Sequence, residues 1–376
     1  MPLSFQKIFY AILTVFALFT ILILAKTVLI PLAFSLLISF ILFPLVRKFE
    51  AWGANKTIAS IFSMVTLVVI IGGSITLFSA QIFQLLDNIT AFSDKILSVF
   101  AEATIFINSN IPMVSPLETG ELLGKLKELL RESLGPLVNQ TFSGTVAFLT
   151  GLLSVVVFTF LILLYSDGLV YALSTFYPER HRNQALTMFK SVYSVGKSYL
   201  TGMTTIVLIL GVVNSIGLWI IGIESPFLFG FLAAILAIIP YVGTVLGAAI
   251  PIVYALFVYD SIWMPVAIAI FFWVVQVIES NFLTPKIVGG KLQVNALTAI
   301  LSIIIGASVW GIAGMILFLP FAAMLKVVAE SYVELKPLSL LIGDEIYTES
   351  DNSLSTGTSA LKKLLARITK LFGSKQ

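Results

Sequence analysis

The sequence holds 376 residues, with 22 Lys/Arg against 19 Asp/Glu and a formal net charge of +3. Only 11% of the residues are charged, against about 25% in an ordinary soluble domain, while 59% are hydrophobic and the mean hydropathy is +1.05. Such a chain cannot cover its apolar surface with polar groups, which excludes a soluble enzyme; the lack of Cys, the single His (His181) and the small dispersed charge exclude disulfide frameworks, thiolate metal sites, HExxH chemistry and a nucleic-acid surface.

A spanning helix needs about 20 apolar residues. Apolar runs predict spans at Ile8–Ala25 and Val28–Val46, joined by a tight turn at Lys26–Thr27. Ile8–Ala25 reads as a span and not a signal peptide, because no small-x-small site follows it. Further spans are predicted at Thr57–Ala80, Val146–Tyr165, Gly202–Ile221 and Ile262–Ser280. Pro226–Tyr259 is too long for one span and is broken at Pro240-Tyr241-Val242-Gly243, leaving arms short of the ~30 Å hydrocarbon core. The stretch 295–328 is broken by Gly306, Gly311 and Gly314 around Trp310. Short, Gly/Pro-interrupted apolar segments mark re-entrant or discontinuous helices.

Lys/Arg placement sets the expected sides. Basic residues gather at Arg47, Lys48 and Lys56, at Arg180, Arg182, Lys190 and Lys197, at Lys286 and Lys291, and in the tail from Lys336. Between Lys197 and Lys286 there is none, and the 81–145 segment is net acidic. Both termini are therefore expected in the cytoplasm and 81–145 outside, with Lys26 as the exception. Each broken stretch then returns to its own side, the first from outside and the second from inside, as in an inverted repeat. The expected fold is an all-α polytopic membrane protein. It has about eight transmembrane segments, including two re-entrant or broken hairpins, and a small helical extracytoplasmic insert.

The expected divisions are three N-terminal helices (1–80), the insert (81–145), a fourth span with cytoplasmic amphipathic helices broken at Pro178 (146–201), a two-hairpin transport core (202–336) and a tail (337–376). In the tail, a linker at 348–359 precedes a basic amphipathic helix at 361–372, suited to anionic lipid.

Three motifs resemble the autoinducer-2 exporter (AI-2E) family of bacterial membrane proteins: IPYVG at Ile239–Gly243, ESNFLTPKIVGGKL at Glu279–Leu292 and GASVWGIAGMILFLPFAAMLK at Gly306–Lys326. The order of spans, insert, Asp167…Pro178 and Tyr199…Gly202 matches too, over roughly 8–345. Thr244, Met203 and Asn295-Ala296 depart from the family pattern, which bears on the substrate more than on the fold. The resemblance implies export of a small signalling molecule for some members and sodium/proton antiport for others.

Candidate path residues follow from polarity inside apolar segments. Glu279, with Gln276, Ser280 and Asn281, is either an ion or solute ligand or an interfacial carboxylate paired with Lys286. Asn214 and Ser215 lie mid-span, as ligand contacts or as an interhelical hydrogen bond. Pro240, Tyr241, Gly243 and Thr244 form one expected tip with unpaired backbone groups; Gly306, Ser308 and Gly311 form the other, or simply pack closely. The tips are expected to meet near the midplane. His181 is expected to be solvated. The leading reading is a secondary transporter exporting a small polar solute, coupled to sodium or protons, in the bacterial inner membrane as a homo-oligomer with no cofactor. The alternatives are a sodium/proton antiporter and a non-transporting membrane scaffold that docks a partner protein.

Overall fold

The computed structural model describes residues 5–87, 150–259, 261–289 and 293–344. The 88–145 part of the expected insert, the first four residues of the expected fourth span (146–149) and the 345–376 part of the tail lie outside them. The described residues are almost wholly helical, with one isolated bridge, Val294 to Gly343. The chain is an all-α polytopic membrane protein: among the described residues six helices are long and apolar enough to cross a bilayer, and four shorter apolar helices accompany them.

Helices α1 (Phe5–Leu24) and α2 (Lys26–Ala51) are separated by Ala25 alone. Ala25 donates to Ile21 O at 2.9 Å and its carbonyl accepts from Leu29 at 2.9 Å, so helical bonding runs through the junction. The predicted turn at Lys26–Thr27 is therefore corrected to a one-residue bend, with both residues in the first turn of α2. Helix α3 (Lys56–Asp87) passes the predicted end at Ala80. Helix α4 (Thr150–Thr175) passes Tyr165 by ten residues, running through Gly168, because no proline occurs before Pro178.

After a 3-10 turn at Glu179–His181, α5 (Arg182–Ile221) runs for 40 residues without a break. The expected cytoplasmic amphipathic helix and fifth span are thus one rod of roughly 60 Å. The first hairpin is α6 (Pro226–Leu236) and α7 (Val242–Val258). Helix α8 (Trp263–Ile278) does not end at Ser280; it continues as π-helix over Glu279–Leu283 and Pro285–Gly289, so the expected 285–292 loop is helical as far as it is described. The second hairpin is α9 (Ala296–Trp310) and α10 (Ile312–Glu330), followed by the short α11 (Lys336–Ile342).

Two compact units result: Met1–Gly168 with Leu200–Ile287, and Leu169–Tyr199 with Val288–Gln376. In the first, Leu42, Val46, Ala59, Met64 and Leu163 join α2, α3 and α4 in one core. At one end of this bundle Asp167 binds both Arg47 (2.8 Å) and Lys56 (2.7 Å). A second core (Leu218, Phe229, Ala233, Tyr254, Ile268 and Phe272) seats the first hairpin against α5 and α8.

Hairpin α6–α7 has its ends tied together. The Glu224 N–H donates to the Tyr259 hydroxyl at 2.7 Å, and the Tyr254 hydroxyl donates to Glu224 Oε2 at 3.1 Å. Its arms pack backbone to backbone: a Cβ at Gly243 would overlap the Leu236 carbonyl, and one at Gly247 would press on Ala233. Helix α6 has 11 residues, roughly 17 Å, too short for the ~30 Å core. In the second unit, Gly306 and Gly314 sit face to face, each occupying the space a Cβ of the other would need. The second break is a single residue, Gly311, at φ 61°, where a side chain is disfavoured. At 19 residues, α10 is roughly 28 Å long, enough to cross, whereas α9 is shorter at 15.

Candidate functional site

On α5 the buried residues Gly211, Asn214, Ser215 and Leu218 follow a helical stripe. Gly211 meets the Phe231 ring and Ser215 lies against Gly230, so this stripe receives α6. Ser215 is satisfied by Gly211 O at 2.6 Å. Asn214 is 3% exposed and its Oδ1 has no hydrogen-bond partner. A buried acceptor left so costs about 1–3 kcal/mol, which singles out Asn214 among the polar groups of this helix.

At the hairpin tip Tyr241 has φ 63° and ψ −57°, and the Val242 N–H donates back to Pro240 O at 2.7 Å, closing a γ-turn. Gly243 N–H donates to Ile239 O at 3.0 Å, and the Thr244 hydroxyl to Tyr241 O at 2.9 Å. The expectation of unpaired backbone at this tip therefore holds for none of these three carbonyls. What the tip exposes is the Tyr241 side chain, at 68%.

The densest polar group lies where α8 turns into π-helix. Glu279 is half-buried; Oε2 accepts from Gln276 Nε2 at 2.8 Å and Oε1 accepts from the Thr284 hydroxyl. Gln276 is three residues back, as in any helix, but Thr284 is five residues on. In an α-helix that residue would lie well round the cylinder; the wider π turn brings it onto the same face. Ser280 bonds Gln276 O (2.8 Å) and Asn281 bonds Val277 O (2.8 Å), filling the shoulder of the same turn. Among the described residues no ion pair joins Glu279 to Lys286. The carboxylate is held by two neutral donors.

In the second unit, Gly306 is buried at the α9–α10 contact, Gly311 forms the exposed tip, and Ser308 is exposed with its hydroxyl bonded to Ile304 O at 3.0 Å. Asn295 caps α9 through Thr298 N–H (2.8 Å) while its Nδ2 donates to Leu341 O (2.7 Å) and Gly343 O (3.0 Å). Lys326 is 2% exposed and pairs with Glu330 at 2.9 Å. The Tyr177 and Tyr332 hydroxyls bond each other, and that bond together with burial pushes the Tyr177 hydroxyl up to about 12. His181 is exposed.

The sequence reading passes over Thr284 and Lys326. For Lys326 a signal exists: it is the only basic residue between Lys291 and Lys336, with Glu330 four places on. For Thr284 there is none, since a π register leaves no mark in hydropathy.

Broken hairpins and a polar turn inside a span are features found in membrane transport proteins. The family model described as AI-2E family transporter matches residues 8–334, and the chain belongs to that family. It is 26% identical to the Bacillus subtilis protein YrrI over 332 residues, covering 83% of this chain and 88% of YrrI. Over 149 residues, 40% of each chain, it is 37% identical to Bacillus subtilis YueF. Over 146 residues it is 29% identical to the AI-2 transport protein TqsA of Escherichia coli, covering 39% of this chain and 42% of TqsA.

Proposed function

We propose that this chain is a secondary transporter that moves a small polar solute out of a bacterial cell, using the π-helical turn of α8 as its cation- and solute-binding element. The observation that carries this reading is Glu279: an acidic side chain in an apolar span, held by Gln276 and Thr284 and, among the described residues, by no cationic side chain. A carboxylate so placed suits transient binding of a proton or sodium ion. Asn214, with its unpartnered Oδ1, and the Tyr241 tip supply further polar contacts in the same unit. The solute class follows the AI-2 transport protein TqsA, a relative whose name states a substrate. The cytoplasmic side of the 47–56 loop and of the tail from Lys336 follows the Lys/Arg pattern.

The same carboxylate supports sodium/proton antiport as the second reading. Purified protein in liposomes separates the two. Under an imposed sodium or proton gradient, the first reading expects solute flux that collapses with the gradient. Antiport expects proton movement driven by sodium with no solute present. No flux of either kind would overturn both.

A further inference from the structure

A groove of about 540 Å³ lies on the α2–α3 bundle. Its mouth is aromatic (Phe49, Trp52 and Phe62) and its floor is aliphatic (Val65, Val69 and Ile70). Phe49 holds the mouth in shape, its ring centroid 5.5 Å from Trp52 and 5.8 Å from Phe62. From Phe62 to Ile70 the floor follows α3 for roughly 12 Å, away from the charged loop and toward the apolar centre of the span. Thr66, also in the lining, turns its hydroxyl onto Phe62 O at 2.8 Å, so the wall offers a methyl group.

The charges at the mouth do not cancel. Arg47 is taken by Glu50 and Asp167, and Lys56 by Asp167. Lys48 has no carboxylate partner among the described residues; it is exposed and stands over the Trp52 ring at 5.2 Å. An uncompensated cation and a Trp at the top of a membrane-facing apolar slot match an anionic headgroup above a hydrocarbon chain. We propose that this groove binds one anionic phospholipid, with its phosphate at Lys48 and Trp52 and an acyl chain along Phe62–Ile70.

The test uses the full chain in nanodiscs of mixed phosphatidylglycerol and phosphatidylcholine, extracted gently and read by native mass spectrometry. The wild type should retain phosphatidylglycerol over phosphatidylcholine. Lys48→Gln should lower that preference about fivefold, the factor one basic residue contributes beside an anionic surface, and Lys48→Arg should keep it. Val69→Trp fills the floor and should lose the retained lipid while the charge stays. Equal retention of the two lipids by the wild type, or an unchanged preference in Lys48→Gln, overturns the proposal. So does efficient disulfide-linked dimer formation by Val69→Cys, which would assign the groove to a second copy of the chain. None of these readouts depends on transport.

Discussion

At Glu279 the chemistry rests on two neutral donors, so small changes separate charge from shape. Glu279→Gln keeps the volume and the Gln276 contact and removes the charge. The variant should fold and reach the membrane normally yet lose gradient dependence of flux in liposomes; full dependence in a well-folded variant would reduce Glu279 to a structural carboxylate. Thr284→Val, which removes only the donor five residues on, should weaken the dependence in part, and Thr284→Ser should restore it. Glycines offer a second residue-scale contrast. Gly243→Ala forces a Cβ into the Leu236 carbonyl, and overpacking of that kind costs about 1–3 kcal/mol or more. Gly311 has open space around it but φ 61°, so Gly311→Ala is strained by conformation alone. Thermal unfolding in detergent should show Gly243→Ala as the more damaging of the two.

Each hairpin is tied at its base. Glu224 with Tyr254 and Tyr259 closes the first; Asn295 ties the start of α9 to the end of α11, which follows the second. Backbone contact along the arms completes the closure, so each pair of arms should move as one body. The first tip stores strain, because a non-glycine residue in its conformation costs about 1–3 kcal/mol. Tyr241→Gly should raise the unfolding midpoint and at the same time slow transport, since the exposed ring and its fixed direction are both lost. A stabilised variant with unchanged flux would separate the tip from the transport cycle.

For the whole molecule, the sided placement of Lys/Arg yields a direct measurement. In the naturally Cys-free chain, Ser261→Cys should react with an impermeant thiol reagent on intact cells, and Asn55→Cys should react only after permeabilisation. The reverse pattern would invert the topology. The spans, the hairpins and the break at Pro240 are legible in the sequence because Pro and Gly interrupt apolar runs that have no other reason to stop. Helix ends are less legible. Nothing in hydropathy distinguishes an amphipathic helix that stops at the membrane from one that runs into it, so the continuity of α5 past Tyr199 is hidden. The candidate site is half legible: Gln276, Glu279 and Asn214 stand out as polar residues in apolar surroundings. Thr284 does not, because it is recruited by a change of helical pitch.

The Lys326–Glu330 pair bears on how the protein is made. A lysine entering the bilayer as part of a new helix carries an insertion cost, up to about 2.5–3.5 kcal/mol at the helix centre and less near the ends, where Lys326 lies. Here the compensating carboxylate lies one turn further along the same helix, so α10 brings its own neutralising charge and need not wait for another segment to be synthesised. The Gly311 turn and the Gly306–Gly314 contact are likewise internal to α9–α10. This hairpin therefore has what it needs to enter the membrane as a single event during synthesis, and only the Asn295 clasp waits for Gly343 to leave the ribosome. In a translocon insertion assay of the full chain, Glu330→Ala should lower the fraction of α10 inserted, and Lys326→Met combined with Glu330→Ala should restore it.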